Sequence, residues 1–211
     1  MRETFETFVI ILLFSGFGII HSFLASLEIK KKLAVVIKEK IAFYRIFYNI
    51  ISLLLFLAVY EMSPKPQIMI YDLPEPYDLW ILGLQMISLV FVIAAGFSVN
   101  LREFLGIDQI IRYFRNEYDP NELDEKYEFK KTGFYKYTRH PIYFFCILFL
   151  GLRPAMDLFY LVFFITMTGY FFAGSYFEER KLAELFGEDY TQYQKDTARI
   201  IPFLKFIKGN R

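Results

Sequence analysis

Two short clusters in this 211-residue chain combine residue types that could do chemistry. The first is Gly133-Phe134-Tyr135-Lys136-Tyr137-Thr138-Arg139-His140-Pro141-Ile142-Tyr143. Pro141 suits the first turn of a helix, so the N–H groups just after it lack helical partners and lie at the positive dipole end, beside Arg139 and His140. Such a corner can hold an anionic group. The second is Glu178-Glu179-Arg180-Lys181-Leu182, which offers two carboxylates at the end of an apolar run. Together they supply cations, anions and electron-rich rings. Taken singly, Arg139, His140 and the tyrosines are equally well explained as interfacial anchors, and Glu178-Glu179 as a solvated helix end.

The elements that must position these clusters are membrane helices. The composition is 55% hydrophobic and 20% aromatic with a mean hydropathy of +0.33, above the range of a soluble domain of this size. A bilayer core of about 30 Å needs about 20 apolar residues as a helix. Thr7–Leu27 and Leu79–Leu101 carry no charged residue, Leu158–Phe177 carries none, and Ile41–Tyr60 carries only Arg45, placed to snorkel. Pro141–Leu152 is short, but Arg139 and Arg153 at its ends extend its reach, so it is read as a fifth span. The Lys and Arg residues agree: 21 of 24 fall in 28–45, 100–141 and 178–211, which five spans place on the cytoplasmic side. The N-terminus is then outside, the C-terminus cytoplasmic, and spans four and five form a hairpin that turns at Arg153–Asp157. The first run is kept as a mature helix, because no positively charged segment precedes it and no clean cleavage site follows.

The remainder is expected to be simpler. Glu61–Asp78, with four prolines, is read as a rigid irregular connection, and 101–114 as one amphipathic helix on the membrane surface. Lys30–Lys32 and Arg45 need no role beyond topology and anionic headgroups. His21, Asn49 and Asn100 are read as satisfied by neighbouring helices. Cys146 is the one cysteine, so neither a disulfide framework nor a paired-cysteine zinc site is available, and the net charge of +1 argues against nucleic-acid binding through bulk charge. The fold expected is a single all-α, polytopic domain over 1–211 with a cytoplasmic site and no metal.

At the two clusters the sequence resembles the isoprenylcysteine carboxyl methyltransferase and phospholipid methyltransferase superfamily of integral-membrane enzymes. The shared pattern is Gly133, Tyr135, Arg139-His140-Pro141-Ile142-Tyr143, Glu178-Glu179, Leu182, Phe186-Gly187, Tyr190, Tyr193 and Pro202, within a signature region of 127–203. His21-Ser22 with Ala25, the stretch Phe104–Gln109 and Pro154-Ala155-Met156 look most like the branch containing methanethiol S-methyltransferases. The resemblance implies S-adenosyl-L-methionine as methyl donor and a small or lipophilic acceptor, with a thiol favoured. It places cofactor contacts on Tyr127, Glu128, Phe129, Lys130, Tyr135, His140, Pro141, Ile142, Tyr143 and Glu178. Arg139 is expected to orient acceptor or cofactor, and Glu179 to be a further polar group at the site. Two departures stand out: Phe145 replaces a small residue and narrows the expected pocket, and Gly174 replaces an arginine that meets the substrate of the carboxyl methyltransferases. Without that arginine a carboxylate acceptor lacks its charge-assisted partner. Two other classes compete: a membrane sterol or lipid reductase using NADPH, and a non-catalytic membrane protein associated with nitrogen-oxide respiration.

Overall fold

A computed structural model describes residues 1–121, 123 and 129–202. In chain order the helices are α1 (Arg2–Ala25), α2 (Leu27–Ile37), α3 (Tyr44–Met62), α4 (Tyr77–Phe97), α5 (Leu101–Leu105), α6 (Ile107–Phe114), α7 (Pro141–Gly151) and α8 (Leu158–Asp196). Strands β1 (Met69–Asp72) and β2 (Ala155–Asp157) form one antiparallel pair. Four helical stretches, Arg2–Ala25, Leu27–Met62, Tyr77–Phe97 and Leu158–Asp196, are long and apolar enough to cross a bilayer. Large apolar side chains such as Phe8, Leu12, Leu53, Leu57, Ile87 and Val90 stand exposed along them, as expected when lipid rather than water is the solvent. The protein is a helical, polytopic integral membrane protein. At 11 residues α7 reaches only about 16 Å on its own.

The backbone groups into two compact units, Met1–Glu3 with Lys65–Gly96 and Glu128–Arg211, and Thr4–Pro64 with Phe97–Tyr127. In the first, α7 runs antiparallel to α4. Gln85 Nε2 donates to the carbonyl of Phe149 at 3.0 Å, and six residues further along α4 Phe91 stacks on Phe145 at 5.0 Å. The connection expected to be irregular contains β1 instead. Its apolar Met69-Ile70-Tyr71 suits an extended strand, and β2 after Pro154 supplies a partner, with Tyr71 opposite Met156 and Asp72 opposite Ala155.

In the second unit α1 packs on α3 through Phe14 and Phe17 against Phe56, at ring distances of 6.3 and 5.5 Å. The hydroxyl of Tyr48 lies 2.8 Å from Nε2 of His21, so His21 is satisfied by a neighbouring helix as its surroundings predicted. Lys30–Lys32 belong to a helix that the apolar runs do not reveal, α2, whose start is capped by Ser26 Oγ accepting from the N–H of Ile29 at 3.5 Å. The single amphipathic helix expected over 101–114 is broken at Gly106. There φ is +91°, and a Cβ would stand 2.8 Å from the backbone nitrogen of Ile46, so only glycine fits the turn between α5 and α6. Glu103, 3% exposed, is gripped across that turn by Arg112, whose Nη1 and Nη2 each donate at 2.9 Å. The backbone carbonyl of Phe104 accepts from Arg45 Nε at 2.9 Å and from Asn49 Nδ2 at 3.1 Å, giving both residues a local partner.

Candidate active site at the ends of two helices

The helical hairpin of α7 and α8 brings the start of one helix beside the middle of the other. Pro141 is the first residue of α7, and the first helical bond there runs from the N–H of Phe144 to the carbonyl of His140 at 3.1 Å. Facing this corner, Glu178 and Glu179 continue α8 past its apolar segment. The later part of α8 also returns to it. A straight helix would separate residues 179 and 194 by about 22 Å, yet Gln194 Nε2 donates to Glu179 Oε2 at 3.1 Å. The return is made at Gly187, whose φ of +58° and ψ of −131° interrupt the helix. Few residues other than glycine adopt that backbone geometry.

Glu179 sits at the centre, 3% exposed. Its Oε1 accepts from Arg139 Nε at 2.6 Å and lies 3.2 Å from His140 Nε2; its Oε2 accepts from Arg139 Nη2 at 3.0 Å and lies 3.4 Å from Arg199 Nε. Burial alone would push this carboxyl up, but the hydrogen bonds and charges of His140 and Arg139 outweigh it and hold it at about 2. Arg139 Nη1 donates to the carbonyls of Gln194, at 2.9 Å, and of Thr197. The guanidinium therefore links the middle of α8 to its end.

His140 is buried with its other nitrogen, Nδ1, 3.5 Å from Glu178 Oε2. Burial disfavours its charged form, and the two carboxylates more than offset this, so its pKa is raised. Its ring lies parallel to that of Tyr143, 5.2 Å away and within 4°, and Tyr143 stacks in turn on Phe171 at 5.3 Å. The Tyr143 hydroxyl donates to Glu178 Oε2 at 3.0 Å. Glu178 differs from Glu179 in access: its side chain is 38% exposed, against 4%.

The structure thus brings together Arg139, His140, Pro141, Tyr143, Glu178 and Glu179 of the residues singled out from sequence, with Ile142 in the same first turn. The Tyr135 hydroxyl is held protonated by burial and by the charge of Glu178, while the backbone carbonyl of Tyr135 accepts from Tyr193 Oη at 2.5 Å. Phe129 packs with Phe186, Tyr190 and Tyr193 at ring distances of 5.1 to 5.6 Å, against the end of α8, and Lys130 beside it is half-buried. Tyr127 and Glu128 lie outside the described residues. Phe145 turns from the Tyr143 face of α7 towards Phe91 and Phe134, at 5.0 and 5.2 Å.

Four residues at the corner escape a reading of the sequence: Thr138, Gln194, Thr197 and Arg199. Thr138 is 2% exposed and its hydroxyl lies 3.0 and 2.8 Å from the carbonyls of Arg199 and Ile200. Beside it the N–H groups of Arg139 and His140 donate to the carbonyls of Ala198 and Arg199 at 2.9 and 3.0 Å. Each of these contacts ends on a backbone carbonyl, which carries no sequence pattern; only Pro202, just beyond, belongs to the shared motif.

Comparison with known proteins supports the resemblance. Methanethiol S-methyltransferase 1 of Bradyrhizobium diazoefficiens is 29% identical over 210 residues, 97% of this chain and 70% of the relative. The methanethiol S-methyltransferase of Crocosphaera subtropica is 33% identical over 129 residues, 61% of this chain and 46% of the relative. That of Mycobacterium tuberculosis is 26% identical over 160 residues, 72% of this chain and 60% of the relative. The chain therefore spans less than half the length of the second of these and less than two thirds of the third. No solved structure gives a significant match. The methanethiol S-methyltransferase-like branch is the one these relatives share, and the model of the family described as NnrU protein matches residues 9–208, so the chain belongs to the NnrU family.

Proposed function

We propose that this chain is an S-adenosylmethionine-dependent integral membrane methyltransferase that methylates a small thiol at its cytoplasmic face. The observation that carries the reading is Glu178, a carboxylate oriented by Tyr143 and His140 beside the start of α7 yet left open to a ligand. The relatives named above supply the reaction class.

The donor set suits the cofactor. Glu178 can accept from ribose hydroxyls, the first-turn N–H groups of Ile142 and Tyr143 could hold a methionine carboxylate, and the ring of Tyr135 could face a cation. The resemblance adds Phe129 and Lys130 as further cofactor contacts. When bound, S-adenosylmethionine supplies an electrophilic methyl on a sulfonium sulfur. The work of the chain is to hold and align both partners away from water, which accounts for much of the acceleration in a displacement that consumes a charge pair. A thiol needs no strong base, because part of it is ionised near neutral pH. Gly174 offers no cation to an acceptor carboxylate, which disfavours a carboxyl substrate.

Five crossings fit this reading, with the N-terminus outside and the C-terminus in the cytoplasm of a cell inner membrane. The β1–β2 pair ties the α7–α8 turn to the segment preceding α4, and α7 runs antiparallel to α4, as a re-crossing segment would.

The test is calorimetric titration of the detergent-purified full chain with S-adenosylmethionine and S-adenosylhomocysteine, with NADPH as control, followed by incubation with methanethiol and headspace detection of dimethyl sulfide. Binding of the adenosyl pair and sulfide formation are expected. Binding of NADPH alone would move the chain to the reductases, and binding of neither would leave a non-catalytic role.

A further inference from the structure

We propose that Glu179 and Arg139 are positioning residues: they bind the segment Thr197–Ile200 to the start of α7 and thereby hold His140 and Glu178 at the ligand face. For its effect on cofactor binding this inference rests on the function proposed above; the tail contact itself does not.

The argument begins with valence. An ionised carboxylate has about four lone-pair sites. Those of Glu179 meet Arg139 Nε, Arg139 Nη2, His140 Nε2 and Gln194 Nε2, all within 3.2 Å, with Arg199 Nε at 3.4 Å as a fifth nitrogen. No site is left for a ligand hydroxyl. Arg139 is nearly as fully occupied, with Nε and Nη2 on Glu179, Nη1 on two carbonyls, and a side chain 8% exposed. A guanidinium has five N–H groups, and four of these are engaged within the chain. Glu178 is the opposite case: its Oε2 meets Tyr143 and His140, while its Oε1 accepts no hydrogen bond among the described residues.

The segment bound by this arrangement is pinned from a second direction. Thr197, Ala198 and Ile200 are 7%, 8% and 1% exposed, and the carbonyls of Ala198 to Ile200 are held by the backbone of Arg139 and His140 and by the Thr138 hydroxyl. The end of α8 and the residues after it therefore form a strap across the residues that open α7. Glu179 touches the strap's anchors, Gln194 and Arg199, as well as Arg139 and His140. With Nε2 of His140 engaged by Glu179, Nδ1 faces Glu178 and the ring lies flat on Tyr143. Loss of Glu179 should free the strap and the His140 ring together.

Two readouts test this on the detergent-purified full chain. Trypsin cleavage after Arg199, followed by intact mass, reports the strap without any ligand; calorimetry with S-adenosylhomocysteine reports the site. Glu179→Gln is expected to be cut after Arg199 at least tenfold faster and to bind S-adenosylhomocysteine at least tenfold more weakly. Thr138→Val, which leaves every Glu179 contact in place, should accelerate the cut and weaken binding several-fold. Glu178→Gln should weaken binding with the Arg199 bond as resistant as in the unmutated chain. Weakened binding in Glu179→Gln with an unchanged rate of cutting would overturn the proposal, because Glu179 would then touch the ligand itself. Faster cutting with unchanged affinity would overturn it equally, because the strap would not support the site. If Glu179→Gln does not fold, Gln194→Leu, which removes a Glu179 contact to the strap, is read by the same two criteria. If the unmutated chain binds no S-adenosylhomocysteine, the cofactor reading fails by itself, and the rate of cutting decides whether Glu179 holds the strap.

Discussion

Glu103 and Glu179 are each 3% exposed and each meets an arginine through two nitrogens, yet the two carboxylates are put to different uses. Glu103 takes Arg112 from nine residues away, across the turn at Gly106, and the pair closes a short loop in one unit. Glu179 takes Arg139 from 40 residues away and adds His140, Gln194 and Arg199. A local pair closes little chain and fixes one turn, whereas a distant one constrains every segment between its partners. The comparison teaches that burial and charge identify a carboxylate that matters, while the sequence separation and number of its partners indicate what it holds together.

The largest effect expected from breaking this contrast is at the distant pair. Arg139→Met leaves Glu179 buried beside partners that cannot replace a bidentate cation, and should cost about 3 to 5 kcal/mol of stability, read as a fall in Tm in detergent. Acid should reach the same centre. The contribution of Glu179 is present above its ordinary value of 4.5 and lost as pH falls towards about 2. That of His140 is present below its ordinary 6.5 and lost as pH rises through its raised folded value. A Tm profile against pH should therefore have a plateau between these limbs, and Arg139→Met should reshape the acid limb. Arg112→Met is the matched change at the local pair. The Arg112 side chain is 22% exposed, so water recovers part of the loss and the cost should be about 1 to 3 kcal/mol. A Tm change equal to that of Arg139→Met would erase the distinction between the pairs. The smallest effect belongs to Tyr143→Phe, which removes a single hydrogen bond to Glu178 and should weaken S-adenosylhomocysteine binding several-fold, about 1 kcal/mol, with Tm nearly unchanged.

Much of this organisation is legible in the residues themselves. Apolar runs locate the long membrane helices, and the Arg-His-Pro and Glu-Glu clusters meet across a helical hairpin, as their spacing predicts. The length of a run, however, says nothing of where an isolated β pair will form. Met69–Asp72 is extended only because Ala155–Asp157 is available as a partner more than 80 residues later. The break at Gly106 is hidden for a similar reason: the apolar spacing of 101–114 fits one helix, and only the close approach of Ile46 makes glycine obligatory. At the site, side-chain types reveal the charged core but not the Thr197–Ile200 segment, whose part is played by backbone carbonyls that every sequence possesses.

The interruption at Gly187 has a consequence for how this chain can vary. Because Gln194 closes back on Glu179, residues 179 to 194 form a ring joined by one hydrogen bond, and the ring has a fixed circumference. Substitutions on its exposed rim, away from Gly187, Tyr190 and Tyr193, change a side chain and leave the closure intact. Inserting or deleting one residue shifts everything beyond it by about 100° around the helix axis and about 1.5 Å along it, so Gln194 would no longer face the carboxylate. This stretch should tolerate changes of letter far more readily than changes of length, and a tag or fused domain belongs beyond the ring rather than within it.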